Sequence, residues 1–125
     1  MKFNKKYLII IIITLFVFIS FYYDKDETDL GNGCIYNSKR RDIIGKINIP
    51  PKIIIYSFND DFILVKQKPK DFDNIIYGND VIYPLGRDFI YYWLVVKKEE
   101  KLFGPIMYDS LIVLKEYYKI NLNLN

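Results

Sequence analysis

The stretch Tyr7–Tyr23 is apolar apart from Thr14 and Ser20, and it contains five consecutive isoleucines, Ile9–Ile13. A segment apolar on every side has no face to offer water, so it must be enclosed by protein or by lipid. As a helix, about 17 residues rise roughly 25 Å, the short end of what a hydrocarbon core of about 30 Å requires. Tyr7, Tyr22 and Tyr23 stand at its two ends, where amphipathic rings favour the headgroup region, and Lys5 and Lys6 can snorkel. The expectation is a single N-terminal transmembrane helix over 1–23. β-Branched isoleucine is a poor helix former in water, but in lipid the backbone must satisfy its own hydrogen bonds.

Charge assigns an orientation to that helix. Lys2, Lys5 and Lys6 precede it, and Asp24, Asp26, Glu27 and Asp29 follow it. The positive-inside bias puts the N-terminus in the cytoplasm and everything beyond Asp24 outside, at the cytoplasmic membrane. A cleaved signal peptide is the competing reading. Ile19-Ser20-Phe21-Tyr22-Tyr23 offers no small-x-small cleavage site, and Cys34 comes too late to carry a lipid directly after the apolar run.

The chain has 125 residues, room for one domain after the helix. Of the 18 Lys and Arg, three precede the apolar run, and the other 15 match the 15 Asp and Glu. A neutral domain gives no electrostatic case for nucleic acid. There is no histidine and one cysteine, Cys34, so an intramolecular disulfide and thiolate-rich zinc sites are excluded, together with the commonest general base. Ile, Lys, Asn, Tyr, Asp and Phe dominate and alanine is absent, a bias of the kind that base composition imposes. The 12 tyrosines alone therefore argue for no stacking platform.

Residues 24–33 read as a charged linker ending in the turn Asp29-Leu30-Gly31-Asn32-Gly33. Residues 34–125 read as the domain. Cys34–Asn37 is a short first strand, and Ile43–Ile49 is a weak one, broken by Gly45 and ended by Pro50-Pro51. Ile53–Phe58 and Phe62–Gln67 form a hairpin across Asn59-Asp60-Asp61. Phe89–Val96 is apolar on both period-2 faces and should be covered on both sides. Lys97–Lys101 is a charged turn, and Leu102-Phe103 a short strand stopped by Gly104-Pro105. Asp109 can cap a helix over Ser110–Tyr118 with Leu111, Leu114 and Tyr118 on one stripe, joined by Ile112 and Val113 nearer its edge, and Asn121–Asn125 should fray. The expected fold is α+β: a small antiparallel sheet of about four to six strands with one C-terminal helix, behind the transmembrane segment.

No motif carries chemistry. Asp71, Asp73 and Asp80 suggest calcium, but an EF-hand count from Asp71 puts Ile75 and Ile76 where an oxygen ligand and a glycine are needed. Asp60 and Asp61 are turn residues, and Gly31-Asn32-Gly33 lacks the strand and helix that would flank a phosphate loop. Ser38, Ser57 and Ser110 have no histidine base. Trp93 reads as core and Cys34 as a small half-buried residue. No catalytic residue, metal ligand or cofactor site is assigned, and the chain reads as no enzyme.

Three stretches together point to a family. They are Asp29-Leu30-Gly31-Asn32, then Phe58-Asn59-Asp60-Asp61-Phe62-Ile63-Leu64-Val65-Lys66-Gln67, then Tyr92-Trp93-Leu94-Val95-Val96-Lys97-Lys98 followed by Gly104-Pro105 and a helix ending near Ile120. Their order resembles that of small bacterial envelope proteins built on a domain of unknown function, many of them lipoproteins. The resemblance implies location and fold but no activity, and this chain departs from the lipoprotein members in lacking the lipid-bearing cysteine. The expected role is a membrane-anchored extracytoplasmic domain, non-enzymatic, that binds a protein partner or supports an assembly. The alternatives are a toxin-neutralising immunity-type protein and a carboxylate-dependent hydrolase, which needs two acids converging in a cleft.

Overall fold

A computed structural model describes residues 4–22, 26–70 and 81–125. An N-terminal helix, α1 (Lys5–Tyr22), precedes seven strands: β1 (Glu27–Gly31), β2 (Cys34–Asn37), β3 (Asp42–Gly45), β4 (Ile53–Phe58), β5 (Phe62–Gln67), β6 (Tyr91–Val96) and β7 (Lys101–Ile106). Helix α2 (Tyr108–Tyr118) follows. All neighbouring strands pair antiparallel, in a three-stranded sheet β1-β2-β3 and a four-stranded sheet β4-β5-β6-β7.

The four-stranded sheet is the middle layer of three, and its period-2 side chains explain why. Ile63, Val65, Tyr91, Trp93 and Val95 face the small sheet and pack with Leu30, Cys34, Ile43 and Ile49. Leu64, Leu94 and Val96 point the other way, onto Leu111 of α2 and Ile120. Strands buried on both faces read as unbroken apolar runs, which is how β6 reads. At one end of the first core, the carboxamide of the fully buried Gln67 is bonded on both sides. Its Nε2 donates to the Pro50 carbonyl (2.8 Å) and to the Tyr83 hydroxyl (3.1 Å), and its Oε1 accepts from Trp93 Nε1 (2.5 Å).

The α+β class holds, but two parts of the expected fold are corrected. One sheet becomes two, because the stretch taken for a linker supplies β1, which pairs Glu27 with Asn37 and Thr28 with Tyr36. The transmembrane helix is overturned: no helix among the described residues is long and apolar enough to cross a membrane. α1 has 18 residues and opens on Lys5 and Lys6. Its uncharged part, Tyr7–Tyr22, rises about 24 Å, short of a hydrocarbon core of about 30 Å. Its large side chains from Tyr7 to Ile19 are exposed in the isolated chain.

Other elements shift by smaller amounts. β6 begins at Tyr91 rather than Phe89, and β7 runs through Gly104-Pro105 instead of stopping there. α2 starts at Tyr108 with Met107 at its N-cap and no side-chain cap, so Asp109 lies inside the first turn. The helix ends at Lys119, whose left-handed φ of 55° turns the Ile120 N–H back to the Lys115 carbonyl (2.9 Å). That turn sends the tail across the sheet, where Leu122 and Leu124 pack into the second core rather than fraying. Asp71, Asp73 and Asp80, weighed above as calcium ligands, lie outside the described residues.

Candidate functional site

Three turns meet at one end of the domain: Gly31–Gly33 between β1 and β2, 59–61 between β4 and β5, and 97–100 between β6 and β7. The chain enters β1 at Glu27, the opposite end of its hairpin from Gly31. Each turn has a local cause. Asn59 Oδ1 accepts from the Asp61 and Phe62 amides at 2.9 and 2.8 Å, a side-chain mimic of a backbone turn. Asp29 Oδ1 does the same for the Gly31 amide at 2.9 Å.

Lys97 joins the three. It continues the inward phase of Tyr91, Trp93 and Val95, so its side chain enters the protein and is 7% exposed. The ammonium donates to the carbonyl of Leu30 in β1, just before the first turn, and to that of Asn59 in the second (2.5 Å). The Phe58 ring lies 5.5 Å from the same nitrogen, within cation–π range. Its main chain is engaged too, the amide donating to Asp61 O (2.9 Å) and the carbonyl accepting from Asn32 Nδ2 (3.1 Å). Sequence reasoning placed Lys97 in a charged turn, where it lies, but not its inward direction; the signal for that is a cation at the inward phase of a fully apolar strand.

Around this lock lies an exposed ring of both signs. Lys98 meets Asp61 at 3.4 Å, Lys46 meets Glu100 at 3.3 Å, and Lys101 meets Glu99 at 3.6 Å. Exposed pairs of this kind add little stability, so the ring is free to serve recognition. The Tyr118 hydroxyl donates to Glu99 (3.2 Å), and its pKa is pushed up by burial and then by that carboxylate. Elsewhere the buried Asp42 accepts from Arg40 Nε at 3.1 Å, and Lys39 pairs with Asp26 at 3.2 Å.

Trp93 is core, 2% exposed, and Cys34 is fully buried rather than half-buried. Asp60 is exposed on the second turn, and Asp61 is engaged with Lys98. Ser38, Ser57 and Ser110 stand on separate elements, at the β2–β3 turn, on β4 and on α2. A groove of about 450 Å³ beside the end of α2 holds a single carboxylate, Glu116, between Lys115 and Lys119. A cleft of about 110 Å³ between α2, the tail and the sheet is lined by Lys66, Lys115 and Tyr92 among others, and by no acidic side chain. Among the described residues, no three of His, Cys, Asp and Glu gather to hold a metal ion.

Burial pushes the Cys34 thiol pKa up, with Lys97 and Lys46 opposing the shift. The folded protein is expected to leave Cys34 unmodified by a maleimide at neutral pH and to react fully in guanidinium. Rapid labelling of the folded chain would contradict its burial.

A family profile described as a protein of unknown function (DUF3997) matches residues 22–125. The chain belongs to this family. The match covers all seven strands and α2 and begins at the last residue of α1, so the layered domain is the family's unit. No curated protein and no solved structure matches the chain.

Proposed function

We propose that the domain is a non-enzymatic binding module that presents the three-turn end to a protein partner. The observation that carries this is the Lys97 lock. The first turn is tied by one buried cation to the second and third, which strand pairing already sets side by side, with their charged residues directed outward. Loops fixed on such a scaffold are where recognition residues concentrate, and loops ordered in advance lose less entropy on binding. Mixed charge on a rim sets specificity and on-rate rather than affinity. At this end Asp61, Lys98, Lys46, Glu100, Lys101 and Glu99 are engaged in ion pairs, while Asp60 stands exposed on the second turn.

The exposed apolar side chains of α1 support an association of the module with a membrane. Support for the bacterial envelope rests on the sequence resemblance.

The test is purification of the full chain from its native membrane in mild detergent, alongside the double variant Asp60→Lys, Glu100→Lys. The wild type is expected to bring a defined second protein, and the variant to lose it while its stability stays within about 0.5 kcal/mol. Recovery of the wild type without a second protein, or retention of the same partner by the variant, would sink the proposal.

A further inference from the structure

Single apolar side chains on a surface need no explanation, but several on one short segment do. The segment 82–90, which leads into β6, exposes Ile82 (84%), Leu85 (52%), Phe89 and Ile90. Its backbone is pinned at the end of the sheet where β5 finishes, since Gln67 pairs with Tyr91. The Tyr91 hydroxyl accepts from the Leu85 amide (2.9 Å) and donates to the Gly86 carbonyl (2.7 Å), while Tyr83 is buried against Gln67. At the other end of the domain, the turns 31–33, 59–61 and 97–100 expose no large apolar side chain.

The apolar segment shares its end with the junction to α1. From Tyr22, the last residue of α1, to Asp26 is four residues of chain, which reach at most about 14 Å. Hydrogen bonds run from Asp26 across this end to the apolar segment. The Ser38 amide donates to the Asp26 carbonyl (2.8 Å), Ile53 to Arg41 (2.8 Å), Lys52 and Lys68 to each other's carbonyls (3.1 and 3.0 Å), and Arg87 Nη1 to the Lys70 carbonyl (2.6 Å). Arg41, Lys52, Lys68 and Lys70 are exposed here, and no carboxylate among the described residues pairs with any of them. Glu27 and Asp88 are exposed at the same end.

We propose that this end of the domain lies against a phospholipid bilayer, with Ile82, Leu85 and Phe89 seated between headgroups and acyl chains and the four cations beside the headgroup phosphates. The proposal rests on the membrane association of α1 and adds which surface of the domain meets the lipid. With α1 in lipid, Asp26 stands within about 14 Å of it, so of the two ends this is the one brought to the bilayer. Apolar side chains bury about 5–10 Å deep at that boundary, and long cationic side chains keep their charge at headgroup level. The three-turn end is then turned away from the lipid, toward the protein partner proposed for it.

The test reconstitutes the full chain in vesicles of phosphatidylethanolamine and phosphatidylglycerol that contain a nitroxide-labelled lipid. A fluorophore is attached at Leu85→Cys or, as reference, at Asp60→Cys on the second turn. Cys34 is fully buried, so only the introduced thiol takes the label. Quenching is expected to be several-fold stronger at 85 than at 60. Adding Ile82→Asp and Phe89→Asp to the Leu85→Cys chain should lower it to the level at 60 with an unchanged far-UV spectrum, because both side chains are exposed. A chain that floats with the vesicles but is quenched equally at 85 and 60, or whose quenching at 85 survives both substitutions, would overturn this surface and leave α1 in the membrane. A chain that does not float with the vesicles would overturn the membrane association itself, and this proposal with it.

Discussion

Gly104→Ala is expected to lower the stability of the domain by about 4 kcal/mol, a fall in melting temperature of roughly 15–30 °C for a domain of this size. Gly104 has φ +150°, a region that side chains rarely enter, and it lies flat against the indole of Trp93. A Cβ there would sit 2.5 Å from two ring atoms. Trp93 has little room to yield, because it is 2% exposed and its Nε1 is held by Gln67. Gly86→Ala is the control: φ is also positive (+90°), but nothing lies within 4 Å of the new methyl. That change should cost about 1 kcal/mol, the backbone term alone. Thermal melts of the two variants separate strain from collision. A Gly104→Ala protein melting within about 3 °C of the wild type would contradict the packing described.

The second large effect is expected at Lys97. Lys97→Met keeps most of the aliphatic stem but removes the ammonium from the Leu30 and Asn59 carbonyls. Carbonyls left without a donor at a mostly buried position cost about 1–3 kcal/mol together with the lost charge-assisted bonds, so a loss of about 2 kcal/mol is expected by denaturant titration. Asn32→Ala removes one bond to the same residue and should cost less, about 1 kcal/mol. The ordering matters more than either number. Lys97 holds two other turns, whereas Asn32 holds one carbonyl.

Much of this fold could be read in advance where burial and period agree. Ile53–Phe58, Phe62–Gln67 and the run ending at Val96 are β-branched and aromatic, and the structure builds β4, β5 and β6 from them. The helix stripe Leu111, Leu114 and Tyr118 packs as its spacing required, while Val113 points to solvent at 66% exposure. What escaped had no apolar signature. β1 exposes Glu27, Thr28 and Asp29 and buries only Leu30, so an edge strand looked like a charged linker. Gly104-Pro105 looked like a stop because its reason, close approach to Trp93, lies on another strand. The tail looked free because Leu122 and Leu124 alternate with asparagines, and the αL turn at Lys119 that lays them on the sheet has no glycine to announce it. In the N-terminal run the apolar character was plain, but the helix closes at 18 residues with two lysines inside it.

The candidate site was the least legible part. Its turns were visible as Gly-Asn-Gly, Asn-Asp-Asp and Lys-Lys-Glu-Glu, but nothing in the spacing of these distant segments says that they meet. Strand pairing brings the second and third together, and a single lysine brings the first to them.

That convergence is the central claim, and amide hydrogen exchange on the Lys97→Met variant tests it most directly. If the ammonium ties the turns into one unit, exchange must quicken in all three, at Gly31–Gly33, at 59–62 and at 97–100. The Gln67–Trp93 end of the same sheet should keep its protection relative to the global stability. Faster exchange confined to 97–100, with the other two turns as protected as in the wild type, would contradict it.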